Sequence, residues 1–153
     1  MEAFEKFAPL SVEKAIEQNR FDEIMAGNIE PHLGQPNPTF LYDYPACRGS
    51  LAKLKEEDAS VAERFELYIA GLELCNAFTE LNDPEEQRVR FHQEQERRIT
   101  SGKRPYPLPE KFLESLRFMP EASGNALGID RLVMLFADAA TIDDVVAFTP
   151  EEL

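Results

Sequence analysis

The stretch from Glu63 to Phe78, ERFELYIAGLELCNAF, decides the fold. Phe65, Leu67 and Ile69 alternate with Glu66, Tyr68 and Ala70, Gly71 interrupts, and then Leu72 and Leu74 alternate with Glu73 and Cys75. A period of two broken by a glycine predicts two strands joined by a tight turn. With Ala70 and Gly71 as the turn residues, Ile69 faces Leu72, Leu67 faces Leu74, Tyr68 faces Glu73 and Glu66 faces Cys75. Leu67, Ile69, Leu72 and Leu74 then make the core face, and the opposite face carries two carboxylates.

In that register Glu66 and Glu73 are diagonal cross-strand neighbours, roughly 7–8 Å apart. Such a pair is either a solvated acidic surface or a set of oxygen ligands for one hard cation. Mg²⁺ is typically held by one or two carboxylates together with substrate phosphates. Further along, Asn76, Phe78 and Glu80 stand at alternate positions. An amide, a ring and a carboxylate can together hold an amine, through cation–π attraction and a charge-assisted hydrogen bond. Strict alternation sends these three to the face opposite Glu66 and Glu73, so a shared site requires a bulge or twist near Cys75.

Upstream, SVEKAIEQNRFDEIM (Ser11 to Met25) has the apolar spacing of one or two short helices, stopped by Gly27-Asn28. PHLGQPNPTF reads as a loop, FLYDYP as a short strand ended by Pro45, and SLAKLKEEDASVAERF as a helical or irregular connection. Downstream, Asp83 as N-cap, Pro84 at the first helical position and Glu86 three residues after the cap open a charged helix that Gly102 ends. A proline-rich loop then leads to a short helix with Phe112, Leu113 and Leu116 inward. In SGNALGIDRLVMLF, Gly124 and Gly128 allow positive φ or close backbone approach, and the apolar residues from Ile129 to Phe136 predict a buried helix. Arg131 near its start opposes the macrodipole. A bound anion reconciles that position, and the arginine fork suits phosphate; pairing with Asp130 or another carboxylate is the alternative.

The chain has 153 residues, 43% of them apolar, enough for one domain with a core of its own. No apolar run approaches the roughly 20 residues that span a bilayer, and MEAFEKFAPL lacks a hydrophobic signal core, so a cytoplasmic protein is expected. Cys47 and Cys75 lie far apart without a CxxC, and His32 and His92 are isolated, which speaks against zinc. A net charge of -13 repels a phosphate backbone unless the bases cluster. Strands interleaved with helices give an α+β fold.

RFELYIAGLELCNAFTELNDPEEQ, followed some fifty residues later by GIDRLVMLF, resembles the C-terminal half of the catalytic domain of class II lysyl-tRNA synthetases, with GIDRL as motif 3. TFLYDYPACRGSLAKL is similar to the strand and loop before that block. Within the family the nearer likeness is to the branch without an anticodon-binding domain, which ligates (R)-β-lysine to a lysine of elongation factor P. YPACRGSLAKL departs from the YPxxxSPLAK of the tRNA ligases, Ala126 stands where those enzymes usually keep glycine, and the AFTP ending is like that branch's terminus.

The resemblance implies an antiparallel sheet flanked by helices, incomplete because motifs 1 and 2 are not found before Pro38. It makes residues 1–37 a helical segment and loop within an insertion, and 38–153 the C-terminal part of the catalytic domain. It implies Mg²⁺ on Glu66 and Glu73, and ATP bordered by Glu73, Leu74, Gly128 and the catalytic Arg131. Lysine or β-lysine would lie among Asn76, Phe78, Glu80 and Ala126. The activity implied is activation of a carboxylate as an adenylate and transfer to elongation factor P, or to tRNA-Lys in the alternative, with no adenylation by this chain alone. A non-catalytic binding module is a third reading. Self-association, or pairing with the missing N-terminal half of the domain, is expected, and no membrane.

Overall fold

The computed structural model describes residues 2–149, so Pro150 of the AFTP ending lies outside the described residues. Four strands, β1 (Thr39–Pro45), β2 (Val61–Ile69), β3 (Leu72–Thr79) and β4 (Ser123–Leu127), form one sheet in the order β1-β2-β3-β4. Helices α1 (Glu2–Phe7), α2 (Val12–Glu17) and α3 (Phe21–Ile24) precede it, α4 (Pro84–Thr100) and α5 (Glu110–Leu116) sit between β3 and β4, and α6 (Ile129–Ala137) follows. By contacts the described residues divide into two units, 2–43 with 65–77 and 125–149, and 44–64 with 78–124.

The β2–β3 hairpin has the expected two-residue turn. Ala70 and Gly71 both have positive φ, 53° and 80°, as the twist of a tight hairpin favours. On β2 the buried face is the opposite of the one expected, although Leu74 on β3 is buried as expected at 3% exposed. Tyr68 is fully buried and Glu66 is 6% exposed, whereas Leu67, Ile69 and Leu72 are only half-buried. Part of the reason lies far upstream in sequence. Ala70 and Gly71 donate to the carbonyls of Gly34 and Leu33 at 2.9 and 3.0 Å, which latches the 33–34 backbone onto the hairpin tip. Gly34, at φ +73°, packs so closely that a Cβ there would lie 2.7 Å from the Ile69 and Tyr68 backbone. Only glycine satisfies both demands.

The expected helix stop at Gly27-Asn28 does not occur. The chain continues from α3 through a π-helical turn, Met25–Ile29, and a 3-10 turn, Glu30–His32, burying Met25 and Ile29. The connection after β1 opens with a 3-10 turn, Ala46–Arg48, and is otherwise irregular, tied down by bridges Ala52 to Glu80 and Leu54 to Ala62.

In the second unit α4 begins as its sequence dictates, with the Asp83 side chain accepting from the Glu85 and Glu86 amides at 2.8 and 3.2 Å. α5 buries Leu113 and Leu116, but Phe112 remains partly exposed beside Phe91.

The glycine-rich segment before α6 is a strand, not a turn. Glu80 donates to Ala122 and Gly128 donates to Leu74, at 2.9 and 2.8 Å, which fixes an antiparallel β3–β4 register. Neither Gly124 nor Gly128 has positive φ. The expectation that α6 is buried also fails, because only Met134 is buried while Ile129 is 60% and Phe136 85% exposed, with Val133 exposed between them. That spacing of four and three residues draws an apolar stripe along one helix face.

Candidate functional site

Glu66, Glu73, Leu74, Asn76, Ala126, Gly128 and Arg131 all belong to the first unit. Burial of a glutamate demands partners, and Glu66 has them, accepting from the Tyr68 hydroxyl at 2.6 Å and from Asn76 Nδ2 at 3.0 Å. Asn76 therefore reaches the same side as Glu66, against strict alternation. The break falls at Leu74 and Cys75, which are consecutive and both buried.

Arg131 projects from the first turn of α6 back to β3. Its Nη1 donates to the Glu73 carbonyl at 2.8 Å and lies 3.5 Å from Glu73 Oε2, both side chains being partly exposed. The Gly128 amide bond to Leu74 pins the head of α6 to the same strand position. The β3–β4 register sets Ala126 opposite Asn76, with Ala126 exposed.

Sequence reasoning missed Glu30. It stands on the 3-10 turn before the hairpin latch, and its carboxyl is raised above the ordinary 4.5 by burial first, then by the charges of Glu66 and Glu73, with Arg131 opposing. Three acids and one arginine thus share a local field. An acid beside Pro31 in a loop carries no periodic signal, so nothing local could have marked it.

Phe78 and Glu80 belong to the second unit. There Gly124 has a definite purpose, since a Cβ on it would lie 2.1 Å from Glu80 Oε1. Close approach, rather than positive φ, is what glycine provides. A cleft of about 480 Å³ in this unit, between the 46–54 segment and α4, is lined by none of the expected site residues.

Among the described residues no group of three His, Cys, Asp or Glu side chains converges to hold a metal ion. A pair of carboxylates with only oxygen donors nevertheless fits Mg²⁺, whose remaining ligands come from phosphates and water. No helix among the described residues is long and apolar enough to cross a membrane.

Comparison with known proteins agrees with the fold. The elongation factor P–(R)-β-lysine ligase of Proteus mirabilis is 47% identical over 126 residues, covering 82% of this chain and 39% of that protein. The protein of the same name from Enterobacter sp. is 47% identical over 127 residues, with the same two coverages. That of Salmonella arizonae is 48% identical over 122 residues, 79% of this chain and 38% of that protein. The chain thus spans about two-fifths of the length of these relatives. The family model of class II tRNA synthetases (D, K and N) matches residues 2–152, and the chain belongs to that family.

Proposed function

We propose that this chain is the C-terminal catalytic segment of an ATP-dependent ligase that activates (R)-β-lysine and transfers it to a lysine of elongation factor P in the cytoplasm. What supports the reading is that β3 carries both the Asn76 contact to Glu66 and the Glu73 contact to Arg131, in a chain about 47% identical to ligases of that name. Residues 38–153 are then the C-terminal part of the catalytic domain, and 1–37 part of an insertion in it.

In the reaction a carboxylate oxygen of the amino acid attacks the α-phosphorus of ATP and pyrophosphate leaves. The acceptor amine then attacks the acyl carbon and AMP leaves. Such chemistry depends on positioning and charge neutralisation more than on a general base. Glu66 and Glu73 would hold Mg²⁺, and the chemistry it would supply is neutralisation of phosphate charge. Arg131 grips the terminal phosphate with nitrogens beyond the Nη1 already tied to the Glu73 carbonyl, so that bond fixes the guanidinium before the nucleotide arrives. Gly128 and Leu74 border the nucleotide. Glu80 is the residue proposed for the substrate ammonium, and Asn76, Phe78 and Ala126 are the other amino-acid-binding residues of the reading.

The exposed apolar stripe of α6 supports a further part of the reading. A stripe of this kind is a surface for association, either with the rest of a full catalytic domain or with a second copy, and the chain alone is expected not to adenylate.

The test is ATP–pyrophosphate exchange with this chain fused to the preceding part of the Proteus mirabilis relative. Exchange that prefers β-lysine over α-lysine is expected. A strong preference for α-lysine would assign the chain to the lysine-tRNA ligases instead, and exchange with neither, in a folded fusion, would favour a non-catalytic module.

A further inference from the structure

The chain is strongly acidic overall, yet Arg97, Arg98, Lys103 and Arg104 fall within eight residues, and no acid occurs between Arg97 and Pro109. This basic segment is built rather than loose. The Gly102 amide donates to Ile99 at 2.9 Å and the Lys103 amide donates to Arg98 at 2.8 Å, with Gly102 at φ +72°, the paired bonds of a Schellman cap. Arg98 then closes the knuckle, donating from Nε and Nη2 to the Arg104 carbonyl at 3.3 and 3.2 Å and lying 4.3 Å over the Tyr106 ring. Gln95 donates to the Tyr106 carbonyl from the helix side.

Cations in the last turn of a helix answer its dipole, which accounts for Arg97 and Arg98. It does not account for Lys103 and Arg104 beyond the cap, nor for Ile99 and a 67% exposed Tyr106 among the charges. Among the described residues the nearest carboxylate contact to these cations is Glu94 to Arg97 at 3.8 Å, with both side chains well exposed. A rigid, aromatic, positive knuckle has the composition of a protein interface, where Tyr and Arg are enriched.

We propose that this knuckle, Arg97 to Tyr106, is a docking surface for an acidic face of the acceptor protein. The inference rests on the reading of elongation factor P as acceptor. A nucleic acid is the less favoured occupant, because four cations are too few to follow a phosphate backbone against the repulsion of the remaining acidic surface. An acidic protein face needs only a compact complement, and steering by opposite charge sets encounter rate and orientation.

The experiment measures binding of the 153-residue chain to purified Proteus mirabilis elongation factor P by interferometry, at low and at physiological salt. The variant Lys103→Glu/Arg104→Glu is compared with Lys6→Glu/Lys14→Glu, which lowers net charge equally at exposed positions of the other unit. Circular dichroism melts confirm that both variants fold, and Lys103→Ala/Arg104→Ala serves if the first does not. The expected result is a loss of affinity of more than about tenfold for the knuckle variant, most of it at low salt, and less than about threefold for the control. Equal losses in both variants, or none in either, would overturn the inference while leaving the acceptor reading intact. Knuckle-dependent binding of tRNA-Lys without such binding of elongation factor P would overturn it in favour of a nucleic acid. No binding of elongation factor P by the unmodified chain would overturn the acceptor reading itself, and the inference with it.

Discussion

Replacing Gly124 with alanine separates the stability of the sheet from the proposed role of Glu80. The added Cβ would lie 2.1 Å from Glu80 Oε1 and 3.3 Å from its Cδ, so the carboxylate has to swing away. The backbone is not strained by the change, because Gly124 has negative φ and sits in β4. Alanine in a strand costs less conformational entropy than glycine, so stability should move by no more than about 1 kcal/mol. A hydrogen bond from an ammonium to a carboxylate contributes about 1.5–3 kcal/mol. Displacing Glu80 should therefore weaken lysine or β-lysine binding by about 10- to 150-fold. Calorimetric titration with the amino acid, beside urea unfolding, reads both quantities. The double variant Gly124→Ala/Glu80→Asp, with a carboxylate shorter by one methylene, should recover part of the affinity. Unchanged affinity in a folded Gly124→Ala protein would refute the role of Glu80, and a stability loss above about 3 kcal/mol would refute the claim that only a flexible side-chain end is in the way.

Two further predictions concern the latch and the acid beneath it. Gly34→Ala combines a left-handed backbone with overlap against β2 backbone atoms that cannot swing aside, and should cost about 3 kcal/mol or more in urea unfolding; a loss under about 1 kcal/mol would contradict the packing described. Glu30 binds its proton more tightly in the folded chain than in the unfolded one, so its contribution to stability is fully present below pH 4.5 and is lost as pH rises through the raised folded value. Glu30→Gln should accordingly be more stable than the parent at pH 7, by less than about 1 kcal/mol after solvent screening, with the difference closing toward pH 4. A constant difference across that range would show that charge is not the cause.

How much of this was legible in the sequence follows from how local each cause is. The hairpin turn and the start of α4 depend on residues within four positions of one another, and Ala70-Gly71 and Asp83-Pro84 announce them. The choice of buried face on β2 does not have a local cause. It involves Leu33 and Gly34 meeting the hairpin from some thirty residues upstream, and a glutamate that Tyr68 and Asn76 make tolerable inside. β4 escaped notice because Gly-Asn-Ala has little strand preference of its own, and pairing with β3 supplies what propensity lacks. α6 reads as a buried helix from its apolar residues, yet Ile129, Val133 and Phe136 are exposed in the described chain. Of the proposed site, Glu66, Glu73 and Arg131 are singled out in the sequence by spacing and charge, while Glu30 is near them only in space.

The account stands most directly on binding of ATP with Mg²⁺. Calorimetry on the unmodified chain, on Glu73→Ala and on Arg131→Ala compares the two side chains that meet at 3.5 Å at the head of α6. Saturable, Mg²⁺-dependent binding that either substitution weakens by more than about tenfold is the predicted result. Nucleotide binding that is the same in all three proteins, or absent from the unmodified chain, would contradict it.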